Sequence, residues 1–249
     1  MRKRKQKQMS ESLLLGAILA TVGGFLDAHT YICRGKVFAN AETGNIVLMG
    51  AKLAEGDFKD AFFYLIPITA FACGVFCAEG IKKLFKQNNY IHWRQITVAA
   101  EIIVLVFISF VEPTRMHNIC TNALVAFVCS LQVQSFRQIS GVPLTTTMCT
   151  GNLRSGTEHL FNAATTKNKT VLKTAFKYYS IIFFFVLGAA IGAVLSSAIG
   201  RYSTLIAAGG LLAAFLLMFV NKEAEKREEI FERAEEEREE AEIKAAEKL

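Results

Sequence analysis

Leu26-Asp27-Ala28-His29-Thr30-Tyr31-Ile32-Cys33-Arg34-Gly35-Lys36-Val37, followed by Glu42-Thr43-Gly44-Asn45-Ile46, has a second version further along the chain. That version reads Leu131-Gln132-Val133-Gln134-Ser135-Phe136-Arg137-Gln138-Ile139-Ser140-Gly141-Val142, followed by Cys149-Thr150-Gly151-Asn152-Leu153. Asp27 aligns with Gln132 and Val37 with Val142, and two extra residues precede Thr-Gly-Asn in the second version. Each version closes an apolar stretch and precedes two more. The shared tripeptide carries little weight alone; its equal placement in two runs of three apolar stretches makes it an internal duplication.

The surrounding composition says what is duplicated. Of 249 residues, 52% are hydrophobic and 20% charged, and the charge is concentrated at one end. The last 28 residues hold 7 basic and 12 acidic side chains, leaving a body with 21 basic and 10 acidic groups. An apolar, basic body with a polar tail excludes a disordered chain and a disulfide-stapled module, and argues against an ordinary soluble enzyme. Six stretches approach the roughly 20 residues a helix needs to cross a ~30 Å hydrocarbon core. They are Leu13–Ile32, Ala61–Ile81, Ile96–Val111, Ile119–Phe136, Tyr178–Ala198 and Tyr202–Val220. The third and fourth are the weakest, since one is short with Glu101 inside it and the other carries Asn122, Gln132 and Gln134. The expected fold is therefore all-α: a polytopic membrane helix bundle of six transmembrane helices, followed by a charged C-terminal cytoplasmic helix. Its parts are a basic N-terminal segment (residues 1–12), a membrane domain (13–220) and the tail (221–249).

Lys and Arg set the orientation, because they are retained on the cytoplasmic side. With six spans, 22 of them fall on the side that carries both termini and six on the other. That asymmetry predicts a multi-pass protein of a bacterial plasma membrane with both termini in the cytoplasm. Tyr90 and Trp93 are expected in an interfacial aromatic belt. The basic excess meets anionic lipid, and no basic run is interleaved with aromatics as nucleic-acid binding requires.

A unit with an odd number of spans re-enters the membrane from the opposite face when repeated. Repeat one (13–111) and repeat two (119–220) are thus expected to be inverted, an arrangement that places a site at the repeat interface near the midplane. Each Thr-Gly-Asn reads as a helix start with Thr as its N-cap. For the first, Ile46–Ala51 is either a half-helix dipping into the membrane or a tight surface turn; for the second, a surface turn is preferred. The residues expected to contact a substrate are Asp27, Thr43, Gly44, Asn45, Gln132, Thr150, Gly151, Asn152 and Arg154.

Each has a plainer role beside the functional one. An ionisable group inside a span is a functional hypothesis by default, but Asp27 has Arg34 and Lys36 one to two turns away and is equally a structural or interfacial group. Glu101 is expected near the cytoplasmic interface, and Glu79 in a pair with Lys82 or Lys83. Gln132, Gln134 and Arg137 read first as hydrogen-bonding glue between helices. Gly188-x-x-x-Gly192, with Gly74 and Gly80, marks close helix packing that also offers a face to a second copy. His29, Cys33 and Asp27 are too few and too mixed for a metal site. No nucleophile elbow, phosphate loop or HExxH occurs, so no catalytic residue, metal or cofactor is assigned.

Two longer motifs carry a resemblance. Gly23-Gly24-Phe25-Leu26-Asp27-Ala28 with Arg34 to Asn45, and Leu131 to Arg137 with Thr146-Thr147-Met148-Cys149-Thr150-Gly151-Asn152-Leu153-Arg154-Ser155, resemble the YoaK-like family of uncharacterised bacterial inner-membrane proteins. The resemblance runs from about Leu13 to Val220 and implies a six-span membrane protein of no established activity. Lys36 stands where that family usually has Gly, and Glu42 where it often has Gln. The expected function is a small-solute transporter whose partners are the bilayer and a small molecule or ion. The rival reading is a membrane scaffold that recruits a partner through the tail, with a membrane enzyme third.

Overall fold

The computed structural model describes residues 12–85 and 93–219; the basic N-terminus, Tyr90 and the charged tail lie outside them. Eight helices run in order: α1 (Leu13–Cys33), α2 (Glu42–Ala54), α3 (Phe58–Phe85), α4 (Trp93–Ser109), α5 (Arg115–Ser135), α6 (Cys149–Thr166), α7 (Lys169–Ile199) and α8 (204–219). A hairpin of β1 (Gln138–Ile139) and β2 (Val142–Pro143) separates α5 from α6. Side-chain oxygens start three of the helices: Ser12 accepts from the Leu15 amide, Thr114 from His117 and Asn168 from Thr170.

Four helical stretches are long and apolar enough to cross a membrane: Leu13–Cys33, Phe58–Phe85, Arg115–Ser135 and Lys169–Phe219. The last has 51 residues, about 75 Å at 1.5 Å per residue and far longer than one crossing needs. A 3-10 turn at Gly200–Ser203 divides it into α7 and α8, with Gly200 at φ 57°. The outward faces suit lipid: Phe76 is 81% exposed, Val194 69% and Ile103 68%. An apolar surface on that scale is foreign to a soluble monomer.

α1 is the central element, with 72% of its apolar window buried against 22% for α3. Its Leu15, Leu19, Val22 and Phe25 pack with Val98 and Leu105 of α4, Val125 of α5 and Leu211 of α8. Its other side meets the hairpin and α7 through Ala20, Ile139, Val142 and Ile181. The broadest helix contact of α1 is with α7, and that of α5 is with α3.

These contacts depend on missing side chains. A Cβ on Gly188 would lie 1.9 Å from the Thr21 carbonyl oxygen, and one on Gly192 would lie 2.7 Å from the Phe25 backbone. Gly74 is placed likewise against the Phe127 carbonyl and the Ser130 hydroxyl. The space at Gly188 and Gly192 of α7 is thus filled by α1 of the same chain. Gly80 has nothing within 4 Å and takes no part in this packing.

Several sequence expectations are corrected. The third stretch begins earlier, at Trp93, which places Glu101 at the middle of α4, 1% exposed, and not at its cytoplasmic end. Hydropathy placed that start too late because the opening turn contains Arg94 and Gln95. Trp93 is itself buried, with Lys82 and Arg94 cations near its ring, instead of lying in a lipid-facing belt. The second Thr-Gly-Asn opens an 18-residue helix and not a surface turn. α6 is amphipathic, and its buried Asn152, Gly156 and Ala163 recur at spacings of four and seven on one face. Neither Thr is the cap: α2 begins at Glu42 after Ala41, and α6 at Cys149 after Met148, with no side-chain cap bond at either start.

Candidate functional site

Two loops fold back onto the helices that precede them, one after each of the two similar sequence segments. In the first, Asp27 Oδ1 accepts the Asn40 amide at 3.0 Å, and Asn40 Nδ2 donates to the Gly23 carbonyl at 3.0 Å. The Thr30 hydroxyl adds a bond from the Ala39 amide at 3.3 Å. In the second, Gln132 of α5 holds Thr146 at 2.8 Å. The Gln132 amide satisfies both of its neighbours when its nitrogen faces Glu101, 3.3 and 3.2 Å from the two carboxylate oxygens, and its oxygen accepts from the Thr146 hydroxyl. The opposite orientation would set the amide oxygen against a carboxylate. Asp27 and Gln132, aligned in the sequence, therefore hold equivalent loops.

The two asparagines complete the corners. Asn45 is 1% exposed and donates to Glu42 Oε2 at 2.9 Å. Asn152, 2% exposed, accepts from the Thr145 amide at 3.3 Å and donates to the Thr145 carbonyl at 2.6 Å. The two Asn152 bonds satisfy backbone groups that a loop packed inside a bundle cannot give to water, while the Asn45 bond ties two side chains of α2 together.

The corners meet on α1. Asn40 bonds the Gly23 carbonyl, and a Cβ on Gly23 would lie 2.9 Å from Thr147 Cγ2 and 3.6 Å from the Thr146 carbonyl oxygen. Cys129 of α5 lies within electrostatic reach of Glu101, Asp27 and Glu42. Among the described residues none of the three forms an ion pair with a Lys or Arg. Two buried carboxylates, Asp27 and Glu101, and the half-buried Glu42, beside amides and hydroxyls and without a fixed cation, form a polar core able to meet a cation, a proton or the donor groups of a neutral solute.

The remaining predicted residues lie apart from this core. Thr43, Thr150, Gly151 and Arg154 are exposed, and Gly44 is half-buried. Arg154 lines a shallow outer groove with Thr157 and Glu158. The proposed His29, Cys33 and Asp27 neighbours point to different partners. His29 Nδ1 hydrogen-bonds with the hydroxyls of Ser203 at 2.8 Å and Ser196 at 3.2 Å, Cys33 donates to the Ser196 carbonyl, and Asp27 turns to Asn40. No group of three His, Cys, Asp or Glu among the described residues is placed to hold a metal. Glu79 does pair with Lys82, at 3.5 Å, and also accepts from Gln134.

Three participants escaped the sequence reading. Asn40 and Thr146 are loop residues whose partners are 13 and 14 positions away, and no periodic pattern reports such pairs. Glu101 was visible as a charge within an apolar run, but its depth depended on where α4 begins.

An all-helical bundle with four helices fit to cross a membrane and a polar centre defines a class of membrane protein. Residues 15–218 match the model of DUF1275, described as a protein of unknown function, and the chain belongs to that family. No curated protein and no solved structure matches it.

Proposed function

We propose that the protein is a small-solute permease of the bacterial plasma membrane. In this reading it has six crossings, both termini in the cytoplasm and two inverted three-span halves of the YoaK-like kind. The observation that supports it most is the approach to Gly23 of the two loops that precede Thr-Gly-Asn, Asn40 at its carbonyl and Thr147 beside its α-carbon. Inverted-repeat transporters bind at such a junction. The exchange of partners, α1 with α7 and α5 with α3, is what two interlocked halves would produce. Asp27, Asn45, Gln132 and Asn152 line the path, with Glu101 beside Gln132. Thr43, Gly44, Thr150 and Gly151 present the helix-start backbone at either approach, and Arg154 stands at the cytoplasmic one. Retaining unpaired acids in a bundle costs stability, and function is the usual reason for keeping them.

The test is uptake by vesicles that contain the purified protein, across a panel of small neutral and charged solutes. Solute-dependent flux is expected, lost in Gly23→Leu, which wedges the corners apart, and in Glu101→Gln. Correctly folded protein that moves nothing in the panel, or flux indifferent to both substitutions, overturns the reading.

A further inference from the structure

A separate cavity of about 170 Å³ lies where α1 ends and α3 and α5 begin. Its floor is Arg34, the residue that closes α1. The Arg34 side chain is fully buried, at 0% exposure, yet only Nη2 is bonded, donating to the Ile108 carbonyl at 2.9 Å. Nε and Nη1 have no partner. Among the described residues no carboxylate pairs with Arg34. Asp60, the acid that lines the same cavity, is already bound to Arg115 at 2.6 Å. The charge of Arg201 also reaches Arg34, and Arg201 is itself paired with Glu112 at 3.5 Å.

A guanidinium cannot shed its charge as a buried lysine does. Burying one without a counter-charge costs several kcal/mol, so the missing partner points to an anion that enters the cavity. The neighbours specify more. Asn122 Nδ2 donates to the Arg34 carbonyl at 2.8 Å, which fixes the amide and leaves its Oδ1 without a donor; Asn118 Oδ1 also lacks one. Arg34, Asn118 and Asn122 line the pocket and between them hold two unbonded guanidinium nitrogens and two unbonded amide oxygens. Phe63, Pro67 and Ile119 supply apolar wall. The Arg115 side chain, 71% exposed, and Asp60, at 34%, put their ion pair at the solvent end.

We propose that this cavity binds a small organic carboxylate that carries a hydroxyl or ammonium group next to the carboxylate. The carboxylate lies on Arg34 and the adjacent donor reaches Asn118 and Asn122. The volume suits a few heavy atoms, far below the 300–1,000 Å³ of pockets for drug-sized ligands. This inference does not rest on transport, because binding is read directly.

The test uses the purified full-length chain in neutral detergent at constant ionic strength, with titration calorimetry and thermal unfolding. The probes are lactate, glycine, acetate, inorganic phosphate and micelles doped with an anionic phospholipid. Saturable binding of lactate or glycine is expected, tighter than that of acetate, which lacks the second donor. Arg34→Gln should weaken it about tenfold or more, the worth of one charge-assisted hydrogen bond. If Arg34→Gln fails to fold, Asn118→Leu decides. It removes an oxygen that bonds nothing in the empty pocket, so it should leave unliganded stability nearly unchanged while weakening lactate and glycine binding several-fold, toward that of acetate. Binding of phosphate or phospholipid without any of a carboxylate, absence of any saturable anion, or binding unaffected by Asn118→Leu would each overturn the proposal, the second leaving the cavity to water.

Discussion

Lys36 and Gly141 hold the same left-handed position in two turns that the sequence duplication aligns. Gly35 and Lys36 have φ of 90° and 62°; Ser140 and Gly141 have 54° and 73°. Two successive positive values join β1 to β2 in the second copy, the pattern of a type I′ turn. The first copy makes the same reversal without a ladder. A lysine there tolerates a conformation that costs an L-residue roughly 1–2 kcal/mol and costs glycine almost nothing. Glycine at position 36 would adopt the same turn without that cost. Lys36→Gly is expected to be neutral or stabilising by up to about 1 kcal/mol, the lost cation contact with Tyr31 offsetting part of the gain. Gly141→Lys should destabilise by about 1–2 kcal/mol. Thermal unfolding of both variants in detergent checks the pair, and equal losses in the two would contradict the equivalence.

Gly188 and Gly80 make a sharper contrast. At Gly188 a methyl group would meet the Thr21 carbonyl at 1.9 Å, and backbone cannot rotate away as a side-chain tip can. Gly188→Ala should therefore separate α1 from α7 and cost about 3 kcal/mol, the upper part of the range for overpacking. Gly80→Ala, with open space around it, should raise stability slightly through helix propensity, by up to about 1 kcal/mol. A mild Gly188→Ala phenotype would mean that the α1–α7 interface is looser than described.

The apolar body was legible because lipid enforces it: a crossing helix must be long and uninterrupted, and residue composition alone reports that. The start of α4 was less legible, since half-buried Arg94 and buried Gln95 stand in its first turn and lower the local hydropathy. The helix starts near Thr43 and Thr150 were readable from Gly and Asn, but not their caps, because the asparagine side chains do their work one turn later. Arg34 was read as a charge near Asp27. Its actual acceptor, Ile108, is 74 residues away, and whether a terminal arginine turns inward depends on the tertiary gap that α3 and α5 leave for it.

The two corners differ in how firmly their asparagines hold. Asn152 makes two bonds to the Thr145 backbone, one in each direction. Asn45 makes one, to a side chain that is itself half-buried. Asn152→Ala strands the half-buried Thr145 amide and carbonyl and should cost about 2–3 kcal/mol, against about 1 kcal/mol for Asn45→Ala. Hydrogen exchange should show the 144–148 loop opening in the first variant and the 37–41 loop little changed in the second. The reverse order would place the weight of the fold on the wrong corner.

The inverted arrangement itself is best tested at Lys52 and Lys167, which follow equivalent corners at the ends of α2 and α6. Direct amine labelling would mislead. Glu55, 2.6 Å from Lys52, bonds its ammonium and raises its pKa above the ordinary lysine value, so fewer molecules are in the reactive neutral form. Single Lys52→Cys and Lys167→Cys substitutions, in a background where the exposed Cys73, Cys77 and Cys120 are serine, avoid that bias. With a membrane-impermeant maleimide on intact cells, Lys52→Cys should label from outside. Lys167→Cys should label only after the membrane is opened. An odd number of crossings separates the two positions if α3, α4 and α5 each traverse the bilayer once, and the orientation of every other segment follows from that count. Labelling of both from one side would mean that one of these three helices does not cross, and the halves would then be parallel copies with their corners on the same face.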